Sequence, residues 1–391
     1  MKKIVCLALI AVFAFMSFAG CSAPAKSTAT VNITVTEPSS TPAPATTAAT
    51  TSSEAEPQTT SEPIITDKSL TTGLDTNGKA YQPIAVMVEN SPGARPQTGL
   101  MEADIIYEAM AEGSITRFMC LFNDNTPQKV GPVRSARLYY INLAREWDAA
   151  YVHFGGPSMS DKPSYVYGSD SSDIKLRIDG IKGKYSNLFW RDSARKAPHN
   201  AYIDLRSVSK IYNYTPKERT YKFQFDANAS NSGNTVDTIG VPFVSGKKDF
   251  VEFRYNKATD KFERYMSGTP FMVNTVTRDD NGKETSKSSI MQVQNVIIQY
   301  AKTYTLQNDV KGRRMVDTVG SGKAVYFVGG KQLTGTWKRD SKDTSTQYLL
   351  DDGSSVTLKP GNTWVCLQPD NDQISVTFNE NGSANVQGKA E

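Results

Sequence analysis

Short apolar runs between residues 84 and 156 predict a series of buried strands. IAVMVEN (84–90) is one such run, and residues 103–124 form two more, which turn at Glu112-Gly113. AAYVHFGG (149–156) predicts another strand that ends in two glycines. This part of the chain is therefore expected to contain a sheet.

Two segments carry the periodicity of helices. The first follows Gly131-Pro132, and Ser135 can cap the free amides of its first turn. The second predicted helix spans residues 201–214. Strands alternating with helices predict an α/β or α+β domain over residues 78–225. The apolar stripe of the first helix consists of Ala136, Tyr139, Tyr140, Leu143, Ala144 and Trp147.

After residue 240 the helical periodicity fades and strands predominate. Residues 251–266 are typical of a hairpin with a short polar turn, and Gly329-Gly330 marks another turn between two apolar runs. We therefore predict a mainly antiparallel β domain over residues 240–380. NASNSGNT (227–235), rich in Gly, Ser and Asn, is the expected boundary.

The first 20 residues have the pattern of a signal peptide. Lys2 and Lys3 precede an apolar run that is too short for a membrane-spanning helix, and small residues follow it. Phe18-Ala19-Gly20-Cys21 resembles a bacterial lipobox, in which the cysteine becomes diacylated. The alternative is a secreted protein cleaved near Ala19.

Residues 21–70 consist mainly of Thr, Ser, Ala, Pro and Glu, and no aromatic residue lies between Phe18 and Tyr81. Such a segment cannot bury enough apolar surface to offset the entropy lost on ordering, so we expect a disordered tether. With Cys21 lipidated, the predicted location is the outer face of the cytoplasmic membrane.

Composition excludes several classes of function. Loss of Lys2 and Lys3 lowers the formal charge from +4 by two, to +2, which does not favour nucleic-acid binding. Outside the signal peptide and the lipobox only Cys120 and Cys366 remain; two buried free thiols are expected, although a disulfide is permitted outside the cell. No spacing typical of a zinc site or a phosphate loop is present, so no metal or cofactor is predicted.

Arginines crowd the predicted helix starts. Arg134 and Arg137 lie where the helix dipole is already positive, and Arg191 precedes the second helix. Guanidinium groups and free amides together favour an anionic ligand. The predicted ligand-binding residues are Arg95, Arg117, Arg134, Ser135, Arg137, Gly155, Gly156, Arg191, His199 and Asn200.

Internal ion pairing is the competing explanation for these arginines. Four acidic residues lie on the preceding segments, and the period-two pattern turns Glu108 inward, where it needs a cation. These four acidic residues are Glu102, Asp104, Glu108 and Glu112.

The chain has only two histidines, His153 at the end of a strand and His199 just before a helix. Strand ends and helix starts are common positions for ligand sites in α/β sheets. A structural role is the alternative for each. No GxSxG motif is present, so the candidate catalytic residues are His153, His199 and Glu108, with a histidine acting as general acid or base.

A set of short motifs is spread over both halves of the chain: Glu89-Asn90-Ser91, 95–100, Ala103-Asp104, Tyr107-Glu108, 131–137, His153 with Gly155-Gly156, 197–200, 294–298 and Gly335-Thr336-Trp337. Together these motifs resemble the YerB family of Gram-positive lipoproteins. The resemblance implies a membrane-anchored extracytoplasmic protein with two family domains, and it implies no activity. One departure is Pro270-Phe271-Met272-Val273, where Pro-His-x-Asp is expected.

The sequence therefore supports three hypotheses. The first is a lipid-anchored protein that binds an anionic cell-envelope ligand through an arginine and histidine pocket. The second is an envelope hydrolase or transferase that uses His153 or His199. The third is a scaffold that docks another protein through the β domain.

Overall fold

The structure is a computed structural model, and it describes residues 62–161, 164–168, 173–229, 235–243, 250–378 and 383–387. These residues belong to one compact unit, Gln58–Glu391. The predicted signal peptide, Cys21 and most of the predicted tether lie outside the described residues. In the described part of the chain, no helix has both the length and the apolar character needed to cross a membrane.

Residues 62–229 form strands with two short helices among them. In chain order they are β1 (Ile84–Glu89), β2 (Gln97–Thr98), β3 (Ile105–Glu112), β4 (Ile115–Phe122), α1 (Leu138–Glu146), β5 (Ala150–His153), β6 (Arg177–Asp179), β7 (Phe189–Arg191), β8 (Ala201–Ile203), α2 (Leu205–Lys210) and β9 (Gln224–Phe225).

The described residues after 235 form strands, as predicted for the second half. They are β10 (Val236–Val241), β11 (Val251–Asn256), β12 (Lys261–Met266), β13 (Thr269–Pro270), β14 (Met272–Arg278), β15 (Glu284–Ile290), β16 (Gln292–Val293), β17 (Asn295–Ala301), β18 (Thr303–Thr305), β19 (Arg314–Val316), β20 (Gly320–Val328), β21 (Lys331–Arg339), β22 (Gln347–Leu350), β23 (Thr357–Leu358), β24 (Thr363–Pro369), β25 (Gln373–Phe378) and β26 (Ser383–Gln387).

A ten-stranded sheet draws on both halves of the chain. Its order is β22-β21-β20-β17-β24-β3-β4-β1-β5-β6. The two halves join where β24 runs parallel to β3, with Thr363 opposite Ile105. The predicted segments 78–225 and 240–380 therefore share one sheet. Their division into two domains stays a prediction about how the sequence is organised.

Alternate residues of the central strands enter two different cores, as the period of two requires. On β1, Val86 and Val88 join a core that includes Phe253 of β11. Ala85 and Met87 face the other core, which includes the apolar residues of α1. The large sheet thus lies between α1 on one face and the antiparallel sheet β13-β12-β11-β10-β25-β26 on the other.

The helix prediction needs two corrections. α1 begins at Leu138, not Ala136, and Arg137 rather than Ser135 occupies the N-cap position. The predicted helix 201–214 is wrong at both ends, because residues 201–203 form β8 and pair with β7, and α2 ends at Lys210. Asp204 then caps α2 by accepting a hydrogen bond from the Arg206 amide at 2.9 Å. The α/β prediction for the first half is therefore only partly confirmed.

The described cysteines agree with the sequence analysis. Cys120 and Cys366 are both free and buried, which confirms the prediction of two free thiols. Burial raises the pKa of the Cys120 thiol far above its usual value, so the group is protonated at neutral pH and inert.

Candidate functional site

The carboxyl ends of three strands meet at one edge of the large sheet. β1 is parallel to β5, and both β1 and β3 run antiparallel to β4, so Glu89, Glu112 and His153 end their strands at that edge. Ligand sites of sheet proteins commonly occupy this position. The segment from Arg134 to Arg137 crosses the same edge, because the Arg134 amide donates to the Met87 carbonyl at 2.9 Å.

Arg117 and Arg137 share one carboxylate, that of Glu112. The Arg117 Nη2 atom lies 3.1 Å from Glu112 Oε1, and Arg137 Nη2 donates to Glu112 Oε2. Arg117 and Arg137 are buried, with 2% and 5% of their side chains exposed, whereas 28% of Glu112 is exposed. Two fixed guanidinium groups thus rely on one negative charge that faces solvent.

A pocket of about 340 Å³ opens over this group of residues; we call it the basic pocket. Five of the predicted ligand-binding residues line it. Its lining residues are Glu112, Arg117, Arg134, Ser135, Arg137, Gly156, Pro157, Asp161, Lys311 and Arg313.

Two of its cations, Lys311 and Arg313, come from the second half of the chain and were missed in the sequence analysis. Arg313 forms an isolated backbone bridge with Glu112 and an ion pair with Asp161 at 3.1 Å. The feature of the sequence that could have indicated them is the basic run 311–314, which lies in the half of the chain where strands and turns predominate. Its position beside Glu112 depends on the joined sheet.

Burial and neighbouring charges shift the pKa values of Arg137 and Glu112 in the basic pocket. Burial and the neighbouring Arg117 lower the pKa of the Arg137 guanidinium to about 10. Burial by itself would raise the pKa of Glu112, but the charges of Arg137 and Arg117 outweigh it and the pKa is lowered. The lowered pKa of Glu112 therefore reflects the positive charge of the neighbouring arginines, whereas that of Arg137 reflects mainly its burial.

Gly156 lines the basic pocket, whereas its neighbour Gly155, also predicted to bind the ligand, is not among the lining residues. Gly155 has φ of +68°, and its carbonyl accepts the Ala136 amide at 3.0 Å. A Cβ on Gly156 would lie 2.5 Å from the Val166 side chain. These glycines therefore let the loop after β5 approach the start of α1. Ser135 does not cap α1; its hydroxyl donates to the Phe154 carbonyl at 3.2 Å.

His199 lies outside the basic pocket but connects to it through Glu89. Glu89 Oε2 lies 3.0 Å from His199 Nδ1, and Glu89 Oε1 lies 3.3 Å from Arg134 Nε. The Ser91 hydroxyl donates to Glu89 Oε1 at 2.8 Å. Glu89 is almost fully buried, whereas 30% of the His199 side chain is exposed. A carboxylate on Nδ1 orients the ring and leaves Nε2 as the nitrogen able to exchange a proton with a substrate.

Arg191 and Asn200 form a separate small cluster. Arg191 Nη1 donates to Asn200 Oδ1 at 2.7 Å, and Asn200 Nδ2 donates to the carbonyls of Asp192 and Arg195 at 3.1 Å. Arg191 precedes β8 rather than a helix, so the predicted helix start at this position does not exist. Neither residue lines the basic pocket.

Arg95 is held by the loop after β1. Its Nη2 atom donates to the Asn90 carbonyl at 2.6 Å and its Nε atom to Asn90 Oδ1 at 3.1 Å. It borders a different pocket of about 290 Å³ beside Pro270 and Met272, and the structure does not bring it to Arg134.

His153 has both ring nitrogens engaged inside the protein. Nδ1 lies 2.7 Å from the Gly155 carbonyl, and Arg177 Nε donates to Nε2 at 2.8 Å. The ring is fully buried, and burial together with Arg177 lowers its pKa to about 4. This geometry makes His153 a neutral residue that positions the loop at Gly155, with no nitrogen directed to a substrate.

Glu108 is also buried and fully engaged. Arg264 Nη2 donates to its two oxygens at 3.1 and 3.2 Å, and Trp364 Nε1 donates at 3.1 Å. The inward carboxylate thus has its cation, which comes from β12 in the second half. Of the other acidic residues considered, Glu102 and Asp104 lie away from the basic pocket; burial raises the pKa of each to about 7.

Among the described residues, no group of three or more His, Cys, Asp or Glu side chains is placed to hold a metal ion.

Comparisons with known proteins agree with the resemblance found in the sequence. Two family models match, described as the N-terminal and C-terminal domains of a protein of unknown function (DUF3048), over residues 71–220 and 239–365. The YerB protein of Bacillus subtilis strain 168, whose name marks it as a candidate lipoprotein, is 33% identical over 319 residues, 80% of this chain and 89% of the relative.

A crystal structure of YerB from Bacillus subtilis matches with a TM-score of 0.62 and 31% identity, and the match covers 79% of this chain and 99% of that one. The chain therefore belongs to the YerB family, a family of proteins of unknown function with an N-terminal and a C-terminal DUF3048 domain.

Proposed function

We propose that the protein is a lipid-anchored extracytoplasmic protein that binds an anionic ligand of the cell envelope in the basic pocket. One observation carries the proposal: among the described residues that line the pocket, five are cationic and two are acidic. Arginine forks favour bidentate recognition of carboxylate or phosphate oxygens. An outside anion would supply the charge that Glu112 alone provides to Arg117 and Arg137.

Calorimetric titration of the chain from Ser22 onward with muropeptides and with polyphosphate tests the binding. We expect binding at about 20 mM salt that weakens towards about 300 mM, because screening grows as the Debye length falls. Arg134→Gln should weaken binding, since 27% of this side chain is exposed at the pocket. Arg206→Gln is the matched control, because Arg206 is exposed on α2 and pairs with Asp204.

Absence of heat with both ligand classes at low salt would contradict this function. An equal loss of affinity in Arg134→Gln and Arg206→Gln would also contradict it, because the binding would then reflect charge in general and not the pocket.

The proposed location rests on Cys21 and on the name of the relative from Bacillus subtilis. With a diacylated Cys21, the protein would sit on the outer face of the cytoplasmic membrane. Labelling cells with a clickable palmitate analogue tests this. We expect the wild type to be labelled and to sediment with membranes, and Cys21→Ser to remain unlabelled. A labelled Cys21→Ser variant would contradict lipidation at this residue.

A second candidate function is an envelope hydrolase or transferase that uses His199 as general acid or base. The contact between Glu89 and His199 favours it, because the carboxylate engages Nδ1 and fixes the ring, while 30% of the side chain stays exposed. Purified cell-wall material would be incubated with the wild type and with His199→Ala. Products formed only by the wild type would support an enzyme, and unchanged material in both reactions would contradict it.

A scaffold that docks another protein through the β domain would need an exposed apolar patch. The exposed large apolar side chains described in the second half are Met272, Tyr304 and Val310. Docking surfaces are usually larger contiguous patches, so these side chains do not favour a scaffold.

A further inference from the structure

We propose that the group bound in the basic pocket is a phosphate, and that Lys311 and Arg134 contact it together. This inference rests on the proposed function, since it names the chemical class of the anion. Neither the sequence analysis nor the family assigns a role to Lys311.

The cations of the basic pocket come from three different segments of the chain. Arg117 comes from β4, Arg134 and Arg137 from the segment before α1, and Lys311 and Arg313 from the turn before β19. A carboxylate has two oxygens in one plane and is well satisfied by one guanidinium fork. A phosphate has four oxygens arranged tetrahedrally around phosphorus, two of them unsubstituted in a diester, so it can accept hydrogen bonds from more than one wall of the pocket.

The protein compensates the charges of Arg313 and Lys311 to different degrees. Arg313 is held by Asp161 at 3.1 Å and Asp309 at 2.8 Å, so its charge is balanced. Lys311 is exposed and has no carboxylate within ion-pair distance in the described part of the chain. Its ammonium group is a point charge among the lining residues of the pocket, a form of contact that suits phosphate oxygens.

Arg134 has a weaker partner than its neighbours. Its Nε atom lies 3.3 Å from Glu89 but forms no hydrogen bond of good geometry among the described residues. The same Glu89 also serves His199 and Ser91. Because Glu89 is divided among three groups, Arg134 is available for an outside acceptor.

The basic pocket offers little apolar surface to a ligand. Gly156 and Pro157 are the uncharged, non-hydroxyl residues among the described lining, and no aromatic side chain is present there. Sugar rings and aliphatic groups usually bind against aromatic or apolar side chains. A pocket of about 340 Å³ with this lining suits a phosphate with a small polar substituent.

Two sources outside the cell can present such a phosphate: a polymer of polyol phosphate and the headgroup of an anionic phospholipid. The experiment separates them. The chain from Ser22 onward would be titrated with inorganic phosphate, with an oligomer of glycerol phosphate and with a carboxylate tripeptide that ends in D-alanine. Vesicles of phosphatidylglycerol, with phosphatidylcholine vesicles as the neutral reference, complete the set.

We expect a phosphate ligand, soluble or in the vesicle, to bind more tightly than the carboxylate peptide by about tenfold or more. Lys311→Gln and Arg134→Gln should each weaken phosphate binding about tenfold or more. Lys210→Gln and Arg206→Gln are the matched controls, since both residues are exposed on α2, and they should bind phosphate like the wild type.

The outcomes separate the two proposals. Carboxylate binding that equals or exceeds phosphate binding and depends on Arg134 would overturn the phosphate inference and leave the proposed function standing. Phosphate binding that is unchanged in Lys311→Gln would overturn the role of Lys311. No binding of any probe would overturn both proposals. Preference for the oligomer or for the vesicles would identify the source, and either supports the inference.

Discussion

Two glutamates on β3, Glu108 and Glu112, pair with arginines in opposite ways. Glu108 and Arg264 are both fully buried, and Thr116, Arg264 and Trp364 all donate to the carboxylate. Glu112 lies four residues further along, at the end of β3; it serves two arginines at once and faces a pocket. Because every oxygen of Glu108 is satisfied, its site is closed. The site of Glu112 has spare positive charge and remains open to a ligand.

This difference shows that the residue types alone do not distinguish a structural ion pair from a binding site. The ratio of charges and the exposure decide it. In the closed site the ring of Phe271 covers the Arg264 guanidinium, with 4.0 Å between its carbon and the ring centroid. In the open site the corresponding space is the basic pocket.

The largest expected effect is on the closed site. Arg264→Leu leaves Glu108 buried without its cation, so we expect the free energy of unfolding to fall by about 3–5 kcal/mol. Urea unfolding monitored by tryptophan fluorescence measures it. Glu108→Gln combined with Arg264→Leu should recover part of the loss, because no buried charge is then left unpaired. A loss under about 1 kcal/mol in Arg264→Leu would show that the site is not closed.

At the open site, Glu112→Gln should cost less stability and increase anion affinity. Loss of two charged hydrogen bonds at a partly exposed carboxylate is expected to cost about 1.5–3 kcal/mol. The freed guanidinium groups of Arg117 and Arg137 should bind phosphate several-fold more tightly at low salt. Unfolding in urea and calorimetric titration give the two quantities. A decrease in affinity with intact fold would mean that Glu112 itself organises the ligand.

The contribution of Glu112 to stability should depend on pH. Its folded pKa is lowered by Arg137 and Arg117, so the contribution is complete above the unfolded value of about 4.3 and is lost as pH falls through the folded pKa. The difference in unfolding free energy between the wild type and Glu112→Gln should therefore shrink as pH is lowered below about 4.3. A difference that stays constant over that range would contradict the ion pairing.

The smallest effect is expected at His199. Asn in place of His199 keeps a polar side chain near Glu89, and 30% of the histidine is exposed, so we expect a stability loss under about 1 kcal/mol. Anion affinity should change little, because His199 does not line the basic pocket. Thermal unfolding and titration with phosphate test this. A large loss of affinity would show that Glu89 and His199 control Arg134.

Much of the fold could be predicted from local pattern. The stripe on Tyr139, Leu143 and Trp147 predicted α1, and the hairpin 251–266 appears as β11 and β12. The error at 201–203 has a tertiary cause, since these residues are all buried and pair with β7 and with Val130. Long-range pairing overrides the helical preference of such a short segment.

The candidate site could be predicted in part. Arg117, Arg134 and Arg137 meet at one pocket, whereas Arg191, Asn200 and Arg95 lie elsewhere. The basic run that contains Lys311 and Arg313 is visible in the sequence, but its place in the site could not be predicted, because no periodicity relates it to residues about 200 positions earlier. They reach Glu112 only through the pairing of the two halves.

By itself the sequence determined the local elements, the apolar stripes and the crowding of guanidinium groups before α1, because these depend on neighbours three to eight residues apart. The tertiary structure alone decided which glutamate is sealed and which is open. The pairing of β24 with β3 joins the two halves of the chain. In the folded protein Arg264 of β12 pairs with Glu108, and the turn at Lys311 lies at the pocket that Glu112 faces. Side-chain charge is a property of the chain, whereas its compensation depends on distances that only folding sets.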